Sequence, residues 1–142
     1  MTVKQLSIFL ENRSGTLIKV LEVLKKAQIQ IIASTIADTA EYGIYRLICS
    51  EPQRACDELK QAGVPVSLSG VFALQLDNQP GRAADAIQAF SREGISIAYL
   101  YSFLMDDKGI LVFRTADEEL ARETILKNHL PYITEDDLLP RA

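Results

Sequence analysis

Apolar and polar residues alternate in the first ten positions of the chain and then change to a helical spacing. The alternating apolar residues are Leu6, Ile8 and Leu10. Such period-two alternation predicts a strand with one face in a core. The apolar residues that follow at helical spacing are Leu17, Val20, Leu21 and Leu24. This spacing predicts an amphipathic helix that begins directly after the turn "ENRSG".

The segments that follow complete one supersecondary unit. Two β-rich segments, "QIIASTIAD" and "IYRLICS", flank a turn that contains Gly43, which predicts a hairpin. A second helix is predicted in "PQRACDELKQAG", with Pro52 at its start and Gly63 past its end. A short last strand, "VPVSL", carries Pro65, which places it at a sheet edge. The predicted order is βαββαβ.

The same pattern recurs 66 residues further along the chain. Asn12 aligns with Asn78 and Gly15 with Gly81, and the strand and helix patterns follow without a gap. We therefore predict two tandem domains, residues 1–69 and 70–142, each of a size that is marginally stable alone. The βαββαβ order is that of the ferredoxin-like fold. This α+β fold has an antiparallel sheet with both helices on one face.

Composition excludes several classes of partner. The chain has 142 residues, of which 48% are hydrophobic, and a formal net charge of −4. An acidic balance without a basic block disfavours nucleic acid, whose phosphates need a basic face. No apolar run approaches the roughly 18 residues that span a bilayer, and the first residues lack the pattern of a signal peptide. We therefore expect a cytoplasmic protein that binds neither nucleic acid nor membrane.

The residue types that usually carry catalysis or metal binding are sparse. The sequence has a single histidine, His129, and two cysteines, Cys49 and Cys56. Metal sites usually need three or four ligands, and the cysteine spacing favours two reduced thiols. Neither a phosphate-binding loop nor a nucleophile elbow is found. We predict that the protein is not an enzyme and has no cofactor or metal.

Two turns of one type, "ENRSGTL" and "DNQPGRA", each join a predicted strand to a predicted helix. The first backbone N–H groups of a helix have no partner within the helix and attract a carboxylate or phosphate. The amide of Asn12 or Asn78 offers both an acceptor and a donor. These groups together could bind a free amino acid, or the asparagine could simply cap the helix. The residues by themselves leave both interpretations open.

The two turns resemble the Asp/Asn-x-Pro-Gly-x-Leu signature of ACT domains, and the βαββαβ order agrees. The resemblance covers nearly the whole chain, as two tandem ACT domains without an attached enzyme domain. It implies a regulatory protein that binds a free amino acid at the interface of paired domains and signals to a separate protein. Ser14 stands where the signature has proline, and Ala83 where it has leucine. The alternative function is a structural or protein-interaction module without a ligand.

The resemblance also implies which residues contact the ligand. In the first turn they are Asn12, Arg13, Ser14, Gly15, Thr16 and Leu17, and in the second they are Asn78, Gln79, Pro80, Gly81, Arg82 and Ala83. The facing residues of the second strand of each unit are Ser34, Thr35 and Ile36, and Leu100, Tyr101 and Ser102. The sequence does not say which amino acid is bound.

A sheet with both helices on one face leaves its other face uncovered. Outward apolar residues such as Phe9, Ile44 and Tyr99 predict that this face packs on a second copy of the chain, which gives a homodimer. The free edges of the two second strands are a further liability. Joining those edges would give one eight-stranded sheet.

Overall fold

The computed structural model describes residues 1–11, 15–38 and 42–138. The strands are β1 (Val3–Glu11), β2 (Ile31–Asp38), β3 (Tyr42–Cys49), β4 (Val66–Leu76), β5 (Tyr99–Met105) and β6 (Lys108–Arg114). The helices are α1 (Thr16–Lys26), α2 (Pro52–Gln61), α3 (Arg82–Arg92) and α4 (Glu118–Lys127), followed by a short 3₁₀ helix, Asp136–Leu138. The predicted α+β class and the two tandem βαββαβ units are confirmed.

The chain divides into two compact units. One contains Lys4–Ser69 and Leu138, and the other contains Gly70–Asp137 together with Met1–Val3. The division falls inside β4, so this strand contributes residues to both units. Folding of residues 1–69 and 70–142 as separate domains stays a prediction.

The first unit has the strand order β2-β3-β1-β4. β1 is antiparallel to β3, with Leu6 opposite Leu47 and Ile8 opposite Tyr45. These four side chains pack against α1 and α2, where the buried apolar residues are Val20, Leu24, Ala55, Cys56 and Leu59. The alternation in the strand and the helical spacing after it therefore describe the two sides of one core.

The second unit has the strand order β4-β6-β5. Its core is more aromatic, because Phe113 on β6 lies against Phe72 and Phe90 with ring centroids 5.5 Å and 4.8 Å away. Helices α3 and α4 cover this core with the buried residues Ala86, Phe90, Ala121 and Ile125. Aromatic pairs at these distances contribute beyond their buried area, by roughly 0.5–1.5 kcal/mol each.

The expected continuous antiparallel sheet is confirmed, but it has six strands in the order β2-β3-β1-β4-β6-β5, so the expected count of eight is wrong. The predicted strand "VPVSL" continues into the next one as a single strand, β4. In the second unit the corresponding segment makes only an isolated bridge, Leu74 to Tyr132. The edges of β2 and β5 are the two ends of the order, so these strands do not pair with one another.

The expected uncovered sheet face is also wrong for the central strands. Leu111 and Phe113 face the helices of the second unit, so Ile110 and Val112 point to the opposite face. Both are fully buried within the single chain. In the first unit, Ile48 is buried on the face opposite to Leu47 in the same way. Alternation along β1 did not reveal this, because polar residues such as Gln5 occupy buried positions there.

Candidate ligand-binding site

The glycines at the ends of the two turns have nearly the same backbone conformation. Gly15 has φ 92° and ψ −17°, and Gly81 has φ 87° and ψ −7°. Each glycine is the N-cap of the next helix, and neither helix start has a side-chain cap hydrogen bond among the described residues. The asparagine cap is therefore not made by Asn78. The first N–H groups of each helix have no partner within the helix itself.

A cavity of about 730 Å³ lies beside the start of α1. Its lining residues are Phe9, Leu10, Glu11, Gly15, Thr16, Lys19, Val20, Gly63, Val64 and Pro65. All of them belong to the first unit. Three segments meet here: the end of β1, the first turn of α1 and the segment that leads into β4.

Two hydrogen bonds fix the three segments that form this cavity. The hydroxyl of Thr16 donates to the carbonyl oxygen of Glu11 over 2.9 Å, which holds the helix start against the end of β1. The backbone N–H of Phe9 donates to the carbonyl oxygen of Pro65 over 3.1 Å. Proline has no N–H of its own, so Pro65 joins this edge of β1 as an acceptor.

The cavity combines apolar walls with a small set of polar groups. Leu10, Val20 and Val64 are buried apolar residues of its lining. Glu11 and Lys19 supply one negative and one positive charge. The first turn of α1 contains no acidic residue. The partial positive charge of the helix N-terminus is therefore not offset by a carboxylate of that turn.

The second turn ends in a glycine of the same conformation but carries different side chains. The Nε of Arg82 donates to Asp77 over 2.5 Å, and the guanidinium also lies 3.5 Å from the carboxylate of Asp85. The hydrogen bond to Asp77 raises the pKa of the Arg82 guanidinium above its ordinary value. Asp85 lies in the first turn of α3. Every residue from 77 to 85 is exposed.

The structure brings together only part of the predicted site. Gly15 and Thr16 line the cavity, whereas Leu17 packs against the core of the first unit. Asn12, Arg13 and Ser14 lie outside the described residues. In the second turn, the exposed residues are Asn78, Gln79, Pro80, Gly81, Arg82 and Ala83.

The predicted second-strand residues lie on β2 and β5 and do not line the cavity described above. Ser34 and Ile36 are paired with Leu47 and Tyr45, so they share the helix-covered face of the first unit, while Thr35 points the other way. Leu100 and Ser102 likewise lie on the helix side of the second unit, and Tyr101 on the opposite side. Their role as a wall supplied by a neighbouring domain stays a prediction.

Sequence reasoning missed the wall made by Gly63, Val64 and Pro65 and the charge of Lys19. Gly63 was interpreted only as a helix stop and Pro65 only as an edge signal. The contact of this segment with β1 joins residues that are more than fifty positions apart. The repeat offered a signal for this segment, because Pro65 aligns with Pro131. The backbone N–H of Gln75 donates to the carbonyl oxygen of Pro131 over 2.7 Å, as the N–H of Phe9 does to that of Pro65.

Comparisons with known proteins agree with the geometry of the fold. The family model of the ACT domain pair matches residues 1–141. The chain belongs to the ACT domain pair family. This ACT domain pair is similar to protein BT0572 from Bacteroides thetaiotaomicron. The two share 36% identity with a TM-score of 0.93, over 99% of this chain and 98% of that one.

More distant structures share the fold of this ACT domain pair. The ligand-free regulatory subunit of aspartate kinase from Thermus thermophilus has a TM-score of 0.62 and 16% identity, over 87% of this chain and 91% of that one. The corresponding subunit from Thermus flavus has a TM-score of 0.59 and 16% identity, over 89% and 92%. A comparison with curated protein sequences finds no match.

The groups that sequence analysis considered for chemistry lie apart from the cavity. Cys49 and Cys56 are buried free thiols, and burial raises the pKa of the Cys49 thiol to about 11. His129 is exposed at the end of α4. In the described part of the ACT domain pair, no three His, Cys, Asp or Glu residues are grouped as a metal site. Among the same residues, no helix is long and apolar enough to cross a membrane.

Proposed function

We propose that this ACT domain pair is a non-catalytic regulatory protein that binds a free α-amino acid in the cavity beside α1. The observation that carries the proposal is the composition of that cavity. The N-terminus of α1, one positive charge and one negative charge meet beside apolar walls. A zwitterionic ligand needs this combination of groups.

The groups suggest how the ligand is oriented. Its carboxylate would accept hydrogen bonds from the first N–H groups of α1, with the ammonium of Lys19 beside it. Its own ammonium would lie near the carboxylate of Glu11. Leu10, Val20 and Val64 would then surround the side chain, which favours an apolar amino acid. A charged side chain of the ligand would compete with the ligand's own α-ammonium group for Glu11 or with its α-carboxylate for Lys19.

The cavity is also suited to regulation. Its lining comes from β1, α1 and the segment that leads into β4, so a ligand contacts three elements at once. A ligand that binds one arrangement of these elements more tightly shifts the population toward it. A separate protein that recognises this arrangement would respond through the same coupling free energy.

A thermal-shift screen against the twenty amino acids tests the proposed function. A ligand at 100 times its dissociation constant stabilises the folded state by roughly 2.7 kcal/mol, which raises the melting temperature by several degrees. We expect the largest shifts with apolar amino acids. Absence of a shift with all twenty would contradict the proposal and would favour the alternative, a protein-interaction module without a ligand.

We also propose that the protein forms a homodimer through the free edge of β5. The segment Tyr99–Met105 contains neither a charged residue nor a proline, although proteins usually protect exposed edges with such residues. Leu100 and Leu104 are 49% and 67% exposed. They lie on one face of the strand, two positions on either side of Ser102.

This spacing makes the β5 edge complementary to itself. A twofold axis at Ser102 would place Leu100 of one copy opposite Leu104 of the other in an antiparallel pair. A dimer with twofold symmetry requires this reciprocal relation, because each contact between two different residues occurs at two symmetric places in the interface. The pairing would bury four exposed leucine side chains and extend the sheet through the dimer.

A further inference from the structure

We infer that the two repeats have unequal roles, with one amino-acid site per chain at the cavity beside α1 and none at the corresponding turn before α3. This inference rests on the proposed function, since it concerns which turn holds the ligand. Lys19 is the residue that favours ligand binding at the first turn. The ion pairs of Arg82 are the feature that prevents ligand binding at the second turn.

The glycine and the helix start that follow each turn have equivalent backbones, so they do not explain a difference in binding. Lys19 N–H donates to the carbonyl oxygen of Gly15 over 3.1 Å, and Asp85 N–H donates to that of Gly81 over 3.0 Å. Both glycines have the same left-handed conformation. Both helices therefore begin with the same arrangement of N–H groups, and any difference comes from the side chains.

The charges at equivalent positions are different. A shift of 66 residues places Glu11 on Asp77, Thr16 on Arg82 and Lys19 on Asp85. Positions 11 to 19 thus carry one acid and two bases, Glu11, Arg13 and Lys19, whereas positions 77 to 85 carry two acids and one base. In the second turn, the single base already contacts both acids.

These charges act in opposite directions on a ligand carboxylate. At the first turn, Lys19 adds to the positive potential of the helix N-terminus. At the second turn, Asp85 offsets that potential, and both Asp77 and Asp85 repel an anion. Arg82 could attract the carboxylate only by weakening its contacts with these two aspartates. A ligand at the second turn would therefore replace interactions that the chain already makes.

The residues that line the cavity beside α1 also differ from their equivalents in the second unit, in a way that favours binding at the first turn. The positions equivalent to Phe9, Val20 and Gly63 in the cavity hold Gln75, Ala86 and His129 in the second unit. A large apolar side chain is thus replaced by a polar one, and another by a smaller one. The second turn would offer a ligand with an apolar side chain less apolar surface to bury.

Calorimetric titration of the intact chain tests the inference, with whichever of leucine, isoleucine, valine, methionine or phenylalanine gives the largest thermal shift. We expect one molecule bound per chain. Lys19→Asp, which places the residue of the second repeat in the first, should weaken binding by about tenfold or more. The matched control is Lys25→Asp, an exposed lysine of the same helix outside the cavity, which should bind as the wild type does.

A reciprocal variant completes the experiment. Arg82→Thr combined with Asp85→Lys gives the second turn the residues of the first, and it should leave the original affinity within about threefold. Two molecules per chain in the wild type would overturn the inference while supporting the proposed function. Unchanged binding in Lys19→Asp, or lost binding in the double variant, would also overturn it. If no amino acid binds the wild type, the proposed function fails and this inference fails with it.

Discussion

Lys19 and Asp85 occupy the same position in the two repeats and carry opposite charges. Each donates its backbone N–H to the carbonyl oxygen of a left-handed glycine four residues earlier, over 3.1 Å and 3.0 Å. The two repeats thus share the backbone hydrogen bond at the helix start, while the side chain at this position is positive in the first repeat and negative in the second. Since the glycine and the helix start have the same backbone in both repeats, the two helix starts serve as controls for one another in experiments on the same molecule.

The glycines of the two turns give the first prediction. Gly15→Val and Gly81→Val should each destabilise the protein by roughly 1–2 kcal/mol, because both glycines have a left-handed backbone that a β-branched residue adopts only with strain. An added Cβ meets nothing within 4 Å at either position, so no steric clash adds to this cost. Urea denaturation without ligand measures both changes.

The same two variants differ in their response to ligand. With the amino acid that gives the largest thermal shift, stabilisation should be lost in Gly15→Val and retained in Gly81→Val. Both substitutions place valine on a left-handed backbone and introduce the same strain, so each is the control for the other. Lost stabilisation in Gly81→Val alone would show that the ligand binds at the second turn.

Backbone conformation at the helix ends gives the second prediction. Gln28 and His129 have φ values of 58° and 53°, while the equivalent residues of the other repeat are the glycines Gly94 and Gly63. Gln28→Gly and His129→Gly should each stabilise the protein by roughly 0.5 kcal/mol. Relief of the left-handed strain, roughly 1–2 kcal/mol, exceeds the added chain entropy of glycine, roughly 0.5–1 kcal/mol.

Reverse substitutions are the controls for this effect. Gly94→Gln and Gly63→His should destabilise the protein by a similar amount, because they place side chains on left-handed backbone. Urea denaturation compares all four variants with the wild type. Equal stability of Gly94→Gln and the wild type would mean that the left-handed backbone at this position adds no strain when a side chain is present.

The free edge of β5 gives the third prediction. Leu104→Lys should convert the proposed homodimer to a monomer, because it places a charge opposite Leu100 of the partner copy in an edge that lacks charge. Sedimentation at tens of micromolar measures the change. Leu126→Lys is the matched control, since Leu126 is 53% exposed on α4 and away from the β5 edge. A monomeric wild type, or a dimeric Leu104→Lys variant, would refute pairing through this edge.

The buried thiol of Cys49 gives the fourth prediction. Burial raises its pKa to about 11 from an ordinary value near 9, so the folded protein keeps the thiol neutral at pH values where the unfolded chain loses its proton. Between these two pKa values the unfolded state binds fewer protons. The free energy of unfolding should therefore fall as pH rises from about 9 to 11, by on the order of 1–2 kcal/mol from this group.

Other groups titrate in the same range, so the measurement needs a difference between two proteins. Urea denaturation at pH 8 and pH 10.5 should show a smaller loss of stability in Cys49→Ala than in the wild type. Lysine and tyrosine side chains contribute equally to both proteins and cancel. Identical losses would show that the thiol titrates alike in the folded and unfolded states.

Much of the fold could be predicted from local patterns. Alternation at Leu6, Ile8 and Leu10 and the helical spacing from Leu17 to Leu24 describe residues that meet in one core. Gly15 and Gly81 were predicted to lie in turns, and both have the left-handed backbone that favours glycine. Such features depend on a few neighbouring residues, and the 66-residue repeat presents each of them twice.

The candidate site could be predicted only in part. The turn that carries Gly15 and Thr16 was found from its motif, but the wall formed by Gly63, Val64 and Pro65 was not. Nothing local marks Pro65 as an acceptor for the N–H of Phe9. The ion pairs of the second turn were not predicted either, because no local pattern shows that Arg82 contacts Asp77 and Asp85.

The sequence by itself determined the α+β class, the 66-residue repeat and the helix starts, because periodicity and turn chemistry are local properties, and the resemblance of its two turns indicated the ACT domain family. Tertiary structure alone decided that "VPVSL" continues into the next strand as β4, that both faces of β6 are buried, and that the cavity forms beside α1. These outcomes depend on which distant segments satisfy one another's hydrogen bonds and apolar surfaces. A local pattern shows that such groups need partners, and only the folded chain determines what the partners are.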